Sequence, residues 1–156
     1  MRAVLCDRDG TLVVDVPYNG DPQRVELLPG VRSGLELLRE QGLATAVISN
    51  QSGVGHGLIS IEDVHAVNGE LARLAGPFDI VLFCPHRDDD GCSCRKPRAG
   101  MVADAARRLG VEPAECVVIG DHDVDRGAAQ AAGAAWILVG DDLTFDAAAR
   151  IAVGWS

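Results

Sequence analysis

The sequence contains no long apolar run and is poor in positive charge. No apolar stretch approaches the roughly 20 residues that a membrane-spanning helix needs, and the N-terminus begins with a strand-like segment instead of a secretory leader. We therefore expect a cytoplasmic protein with no membrane partner. The 14 lysines and arginines are outnumbered by 23 aspartates and glutamates, which leaves a net charge of -9. This charge repels the phosphate backbone of nucleic acids, so we expect no nucleic-acid partner.

Linkers, internal repeats and low-complexity tracts are also absent. The chain has 156 residues, of which 47% are apolar, so it can bury a proper hydrophobic core without disulfides or other cross-links. We therefore expect a single domain over residues 1–156, and we expect this domain to act as a monomer.

The sequence has only five cysteines, and three of them lie close together with a histidine. Thiolates and an imidazole are the donors of a closed, tetrahedral zinc site, and four such donors leave no position open for catalysis. Redox chemistry or a chance cluster is the alternative interpretation. We predict a structural zinc site in a reducing compartment, with the ligands Cys84, His86, Cys92 and Cys94. The other two cysteines, Cys6 and Cys116, are interpreted as small buried hydrophobic residues.

Short apolar runs alternate with helical patterns along the whole chain. The runs cover residues 3–6, 44–48, 80–83, 116–119 and 135–139, and they lack polar alternation, which is typical of strands covered on both faces. Segments with helical spacing lie between them, and a Ser60-x-x-Asp63 pattern resembles the capping box of a helix start. This order predicts an α/β, Rossmann-like fold with a doubly wound parallel sheet of about five strands, in which the loops after the strands meet at one edge.

An irregular segment, residues 13–28, separates the first predicted strand from the first predicted helix. Long loops in compact domains tend to be functional, and we interpret this one as part of a substrate rim. Since no insertion is large enough to form a separate cap domain, we expect a relatively open site.

Polar side chains follow the first four predicted strands. They are Asp7 and Asp9 after the first strand, Ser49 and Asn50 after the second, Lys96 after the third, and Asp121, Asp123 and Asp125 after the fourth. Taken singly, each has an ordinary explanation as a turn, a helix cap, a solvated charge or a helix first turn. At one sheet edge, however, carboxylates can share a divalent cation while one attacks a phosphorus atom, and a lysine can offset the developing charge. The set therefore predicts a phosphoryl-transfer site.

The order Asp, Ser, Lys, Asp at four strand ends resembles the haloacid dehalogenase superfamily of phosphotransferases over nearly the whole chain. The resemblance implies that Asp7 is a nucleophile that forms an aspartyl phosphate, while Asp9 protonates the leaving oxygen and then activates water. It also implies that Ser49 and Lys96 hold the phosphoryl oxygens. The implied Mg²⁺ ligands are the Asp7 carboxylate, the Asp9 carbonyl and the Asp121 carboxylate, with Asp125 as an outer partner.

Three local features are similar to one subgroup of this superfamily, which acts on heptose 1,7-bisphosphates and histidinol phosphate. They are the zinc-ligand pattern, the run Asn50-Gln51-Ser52-Gly53 and the run Cys94-Arg95-Lys96-Pro97. This similarity implies a small phosphorylated metabolite as substrate, with a sugar bisphosphate favoured and histidinol phosphate as the alternative. The substrate-binding candidates are Thr11, Asn50, Ser52, His56 and Arg95. The subgroup usually has an arginine near the position of His56, whereas the guanidinium of Arg95 can hold a second phosphate through two parallel hydrogen bonds.

Two functions of other classes remain open at this level. A zinc-stabilised domain that senses phosphate without turnover has the same fold, but it is expected to lose part of the catalytic set, and Asp7, Asp9 and Lys96 are all present. A receiver domain phosphorylated on aspartate also uses an acid pair, a hydroxyl and a lysine, but it has a different acid pattern and no zinc cluster. The sequence therefore favours a Mg²⁺-dependent phosphatase with an additional structural Zn²⁺.

Overall fold

A sheet of five strands in the order β3-β2-β1-β4-β5 forms the centre of the computed structural model, which describes residues 1–155. The strands are β1 (Ala3–Cys6), β2 (Ala44–Asn50), β3 (Ile80–Cys84), β4 (Cys116–Gly120) and β5 (Ala135–Leu138). The helices are α1 (Val31–Glu40), α2 (Ile61–Ala75), α3 (Gly100–Leu109), α4 (Asp123–Ala132) and α5 (Phe145–Gly154), with short 3-10 helices at Pro22–Arg24 and Pro113–Glu115. All neighbouring strands are parallel, which confirms the predicted α/β sheet.

The strand order places a topological switch point between β1 and β4. The first strand pairs with β2 on one side and with β4 on the other, so that Cys6 lies beside both Val47 and Ile119. The chain proceeds outward from β1 to β3 and then crosses to β4 on the other side of β1. In sheets of this type, ligands bind outside the carboxyl ends of the strands at the switch point. The residues that follow β1 and β4 therefore border the crevice in which a ligand is expected.

Helices cover both faces of the sheet, and alternate residues of each strand contribute to two separate cores. On one face α1, α2 and α5 pack over Val4 and Cys6 of β1, and on the other face α3 and α4 pack over Ala3 and Leu5. All four residues of β1 have 0% exposure, which explains why this strand is a continuous apolar run. Cys6 and Cys116 lie in these cores, as predicted.

The final helix, α5, is not among the helices predicted from the sequence. It buries Phe145, Ala148, Ala149 and Ala152, whose spacing is helical, and it packs against α1 in the first core. Gly34 of α1 permits this close approach, since a Cβ there would lie 2.7 Å from the Phe145 ring. Alanine buries little apolar surface, so the apolar pattern of α5 is weak even though the spacing of its buried residues is helical.

The loop between β1 and α1 folds back on itself at the carboxyl edge of the sheet. The backbone N–H of Val14 donates to the Glu26 carbonyl at 2.9 Å. Tyr18 in this loop has a left-handed φ of 52°, and its ring approaches Gly53 so closely that a Cβ on the glycine would lie 2.9 Å away. Over residues 1–155 no second domain covers this edge, and no helix is both long and apolar enough to cross a membrane.

Candidate active site

A buried lysine joins two carboxylates at the carboxyl ends of β1 and β4. The Lys96 ammonium lies 2.7 Å from Asp7 Oδ1, 2.7 Å from Asp125 Oδ1 and 2.9 Å from the Ile48 carbonyl oxygen. These contacts use all three ammonium donors, and the Lys96 side chain is only 2% exposed. Residues from separate predicted strand ends are thus brought within hydrogen-bonding distance of one another.

The ammonium of Lys96 faces more negative charge than it can neutralise. Burial raises the pKa of Asp7 to about 6, although the Lys96 ammonium opposes this rise. Burial also raises the pKa of Asp125, again against the effect of Lys96. Burial alone would lower the pKa of Lys96, but the two carboxylates outweigh it and raise the pKa. A further cation at this position would relieve the excess negative charge.

Asp7 and Asp121 lie on either side of a shared hydroxyl. Thr11 Oγ1 is 2.9 Å from Asp121 Oδ1 and 3.4 Å from Asp7 Oδ2. The backbone of Gly10, with a φ of +84°, passes so close to Asp121 that a Cβ would lie 2.2 Å from its Oδ2. Carboxylate oxygens of Asp7, Asp121 and Asp125 lie within 4.8 Å of one another. Hard oxygen donors that converge in this way fit Mg²⁺.

The two acids at the start of α4 have different surroundings. Asp125 Oδ2 accepts the backbone N–H groups of Asp121 and His122 at 3.1 Å each, while its other oxygen contacts the lysine. Asp125 thus positions the backbone at the end of β4, and it lies outside the pair formed by Asp7 and Asp121. Asp123 is instead exposed and pairs with Arg126 at 2.9 Å within the first turn of α4, so it lies outside the site.

The carboxylate of Asp9 is held by two side chains to which the motif assigns no role. Arg8 places Nε 3.2 Å from Asp9 Oδ1 and Nη2 3.2 Å from Asp9 Oδ2, and Gln51 Nε2 donates to Asp9 Oδ2 at 2.9 Å. The Arg8 side chain is 1% exposed, and its Nη1 donates to Asn68 Oδ1 of α2 at 3.0 Å. A buried guanidinium needs such partners. Together these contacts orient Asp9, whose side chain remains 26% exposed.

Ser49 and Asn50 extend the site from the end of β2. The Asn50 side chain clamps the backbone of Lys96, since its Nδ2 donates to the Lys96 carbonyl and its Oδ1 accepts the Lys96 N–H, both at 3.0 Å. Ser49 is 1% exposed, and its Oγ accepts a hydrogen bond from Gln51 Nε2 at 3.4 Å. Asn50 therefore fixes the segment that carries the lysine.

The cysteines and the histidine predicted as zinc ligands converge at the end of β3. Cys84 Sγ lies 3.0 Å from Cys94 Sγ and 3.7 Å from Cys92 Sγ, and His86 Nδ1 lies 3.3 Å and 3.2 Å from the sulfurs of Cys84 and Cys94. A tetrahedral zinc with bonds of about 2.3 Å separates its sulfur ligands by about 3.8 Å. The sulfurs are too far apart for a disulfide, and all three cysteines are free. The four donors thus converge closely enough to hold one metal ion, and thiolates with an imidazole are donors of the type that zinc prefers.

The thiols of this cluster differ in acidity. Burial raises the pKa of Cys84 to about 12 and also raises the pKa of Cys94. Burial acts in the same direction on Cys92, but hydrogen bonds, above all from the Arg95 backbone N–H, outweigh it and lower the pKa to about 6. A metal that binds here must therefore displace thiol protons, which makes its affinity dependent on pH.

Three adjoining cavities lead from the lysine to the loop that follows His86. The first, of about 150 Å³, is bordered by the lysine and by Asp9 and Asn50. It shares these two residues with a cavity of about 290 Å³ beneath the β1–α1 loop. That cavity shares Ser52 with a third cavity of about 190 Å³, which is bordered by the loop between His86 and Cys92. The predicted rim segment thus borders the middle of an extended site.

The predicted substrate-binding residues lie in different parts of this site. Ser52, His56 and Arg95 border the third cavity, and Asn50 borders the first two. Thr11 is 1% exposed and contacts the two acids described above. Four of the five candidates therefore border these three cavities, whereas Thr11 contacts the carboxylates and borders a separate cavity of about 320 Å³.

The fold and the site define a phosphoryl-transfer class of α/β protein, and comparison with known proteins agrees. Residues 17–133 match the haloacid dehalogenase-like hydrolase family. The protein belongs to this family, as the motifs predicted.

Relatives of known name are similar over most of the chain. The chain is 35% identical over 144 residues to D-glycero-beta-D-manno-heptose-1,7-bisphosphate 7-phosphatase of Bordetella bronchiseptica, which covers 88% of the chain and 80% of the relative. It is 35% identical over 142 residues to the protein of the same name from Rhodopseudomonas palustris, with 84% and 79% covered. The crystal structure of D,D-heptose 1,7-bisphosphate phosphatase from B. bronchiseptica, complexed with magnesium and phosphate, superposes with a TM-score of 0.87 at 29% identity over the full length of both chains.

Proposed function

We propose that the protein is a Mg²⁺-dependent phosphatase that removes the C7 phosphate of D-glycero-D-manno-heptose 1,7-bisphosphate through an aspartyl-phosphate intermediate. The observation that carries this proposal is the buried Asp7 carboxylate, held 2.7 Å from the Lys96 ammonium at the switch point of the sheet. Membership of the hydrolase family and 35% identity to two phosphatases named for this substrate support the same activity.

The proposed reaction has two steps that use the same pair of carboxylates. In the first, an Asp7 oxygen forms a bond to phosphorus, the bond from phosphorus to the sugar oxygen breaks, and Asp9 gives a proton to that oxygen. In the second, Asp9 takes a proton from water, the water oxygen bonds to phosphorus, and inorganic phosphate leaves as the Asp7 carboxylate is regenerated. Lys96 and Ser49 stabilise the charge on the phosphoryl oxygens in both steps. The contacts of Arg8 and Gln51 orient Asp9 for these proton transfers.

The residues that would hold Mg²⁺ are Asp7 and Asp121, together with the backbone carbonyl of Asp9. When bound, the ion offsets the repulsion between a carboxylate nucleophile and a phosphate dianion. The fit rests on the convergence of carboxylate oxygens within 4.8 Å and on the pKa of Asp7, which is raised first by burial and further by the neighbouring Asp121 carboxylate. The magnesium present in the superposed B. bronchiseptica structure supports Mg²⁺ as the metal.

The second metal proposed is a structural Zn²⁺ at Cys84, His86, Cys92 and Cys94. Support comes from the donor set and from separations of 3.0 to 3.7 Å between the donor atoms. The cluster directly precedes Arg95 and Lys96, so zinc binding would order the segment that carries both cations. Free thiols of this kind are typical of a reducing compartment, which supports a cytoplasmic enzyme of carbohydrate metabolism.

A substrate with two phosphates suits the row of cavities. Lys96 borders the first cavity, where the cleaved phosphate binds, and Arg95 borders the third, where the other phosphate binds. The cavity beneath the β1–α1 loop lies between them and accommodates the sugar. A guanidinium in the third cavity offers the paired donors that phosphate prefers.

Phosphate release from a panel of compounds tests this proposal. The panel contains heptose 1,7-bisphosphate, heptose 7-phosphate, other sugar phosphates, histidinol phosphate and nucleotides, each assayed with Mg²⁺. We expect the highest kcat/KM for the heptose 1,7-bisphosphate, above that for the 7-phosphate. Equal efficiency on these two compounds, or superiority of histidinol phosphate, would reject the heptose assignment. Release from none of them would reject the phosphatase assignment itself.

A further inference from the structure

Asp88 contacts the guanidinium that the proposed function assigns to the second phosphate. Asp88 Oδ1 lies 2.5 Å from Arg95 Nε, and Arg95 Nη1 donates to the His86 carbonyl at 3.4 Å. The Arg95 side chain is 21% exposed, whereas the Asp88 side chain is 86% exposed. The contact therefore joins a largely buried cation to an acid that is free to move into solvent.

The cavity around Arg95 contains balanced charges. Its lining includes two guanidinium groups, from Arg87 and Arg95, and two carboxylates, from Asp88 and Asp89. The second pair is looser, with 3.5 Å between Arg87 Nε and Asp89 Oδ1. With histidine counted as neutral, a phosphate dianion that enters this cavity meets no net positive charge. It gains a full cation only when a carboxylate leaves its guanidinium.

The loop that carries Asp88 is held at both ends, so release of Arg95 requires only a side-chain movement. The loop runs between His86 and Cys92 of the cluster, and the backbone N–H of Arg87 donates to Asp90 Oδ2 at 2.8 Å. In the part of the chain that the structure describes, Arg95 is the only side chain that Asp88 contacts through a hydrogen bond or an ion pair. Among the described side chains, only Arg95 therefore holds the Asp88 carboxylate in place.

We propose that Asp88 is a specificity-determining residue that competes with the second phosphate of the substrate for Arg95. This inference rests on the proposed function, because it concerns the phosphate that is not cleaved. Binding of a bisphosphate breaks the Asp88–Arg95 pair, whereas a monophosphate leaves the pair intact. An ion pair in which one partner is solvent-exposed shifts an equilibrium by about two- to fivefold, and Asp88 lowers the preference for the bisphosphate by this factor.

The test compares kcat/KM for heptose 1,7-bisphosphate with kcat/KM for heptose 7-phosphate and follows their ratio. Asp88→Asn is expected to raise the ratio about two- to fivefold, because it removes the competing charge and leaves the shape nearly unchanged. Asp88→Glu keeps the carboxylate and should leave the ratio near that of the wild type. Asp142→Asn makes the same change in net charge at an exposed position before α5, so it controls for the effect of net charge on the electrostatic potential of the whole protein.

A double-mutant cycle separates direct competition from a general charge effect. When Arg95→Ala is already present, Asp88→Asn should leave the ratio unchanged, because the guanidinium for which the two anions compete has been removed. An unchanged ratio in Asp88→Asn alone, or an equal rise with and without Arg95, would overturn the inference while leaving the phosphatase assignment intact.

Equilibrium binding gives a readout that does not depend on turnover. The dissociation constants of the same two compounds are measured on Asp7→Asn, with and without Asp88→Asn. The ratio of the constants should change by about the same two- to fivefold factor. If the wild type hydrolyses neither compound, the proposed function fails. The binding ratio then still decides the role of Asp88, and an unchanged ratio rejects that role.

Discussion

Lys96 and Asp7 are separated by 89 positions in the sequence, yet the ammonium of one lies 2.7 Å from the carboxylate of the other. The same ammonium contacts Asp125 at 2.7 Å, so a single buried cation serves two buried anions. Without a further cation, the candidate active site therefore carries excess negative charge. Because burial of unbalanced charge is unfavourable, the group proposed to attack phosphorus is also one that weakens the fold.

Replacement of the proposed nucleophile should abolish turnover. Asp7→Asn keeps the size of the side chain but replaces the nucleophilic carboxylate with a neutral amide, so we expect kcat below about one hundredth of the wild-type value. Phosphate release at saturating substrate measures this. Asp123→Asn is a suitable control, because Asp123 is an exposed acid that pairs with Arg126 outside the site. Substantial turnover by Asp7→Asn would contradict an aspartyl-phosphate intermediate.

The same substitution should stabilise the magnesium-free protein, and the gain should depend on pH. Burial raises the pKa of Asp7 from its ordinary value of 3.8 to about 6. The folded state thus binds the Asp7 proton more tightly than the unfolded state, and ionisation costs stability as pH rises through this interval. Asp7→Asn should therefore gain about 2 to 3 kcal/mol in the free energy of unfolding at pH 7.5, and almost nothing at pH 4. Urea unfolding at both pH values, without Mg²⁺, measures the difference. A variant less stable than the wild type at pH 7.5 would show that Asp7 contributes net stability.

Asn68 of α2, which is the hydrogen-bond partner of the buried Arg8, should be required for stability. Asn68 Oδ1 accepts a hydrogen bond from Arg8 Nη1 at 3.0 Å, and Asn68 is 7% exposed. Asn68→Leu leaves that donor unsatisfied and should lower the free energy of unfolding by about 1 to 3 kcal/mol. Asn68→Asp keeps an acceptor of the same shape and should be tolerated much better. Denaturant unfolding of the two variants checks this order, and equal stability would show that the Arg8 donor finds another partner.

The purified protein should contain one zinc ion in addition to exchangeable Mg²⁺. Thiolates favour the softer ion and carboxylates the harder one, so the two sites should not exchange metals. Cys92→Ser should reduce both the zinc content and the thermal stability, whereas Cys116→Ala removes a cysteine that lies in the second core and should keep the zinc. Metal analysis of protein prepared without chelators measures the stoichiometry. Zinc should also be released as pH falls, since thiol protons compete for the ligands. An absence of zinc in the wild type would refute the site.

Features that depend on local sequence are predicted well. The five strands follow from short apolar runs, and the start of α2 follows from Ser60 and Asp63, whose reciprocal side-chain to backbone hydrogen bonds both measure 3.0 Å. The meeting of Asp7 with Lys96 follows from topology, because parallel strands end at one edge of the sheet. These predictions needed only the type of each element and its place along the chain.

Features that depend on a distant partner are not predicted. Arg8 is buried because Asn68, 60 positions away, completes the set of acceptors to which the adjacent Asp9 belongs, and the sequence around Arg8 does not signal the contact with Asn68. Gln51 likewise acquires its role from Asp9 across the site. The contact of Asp88 with Arg95 is equally hidden, since an acidic surface run offers several partners of similar charge.

Because the loop between His86 and Cys92 is attached at both ends, its charged residues can change in evolution independently of the residues proposed to act on phosphorus. Both ends of this loop belong to the cysteine–histidine cluster, and the lysine follows the cluster within two residues of Cys94. Replacements at Arg87, Asp88 or Asp89 alter the charge of the third cavity, in which the second phosphate is proposed to bind, while the ends of the loop stay in place. Substrate specificity could therefore change through mutations at a few solvent-facing positions, while the proposed catalytic residues are inherited unchanged.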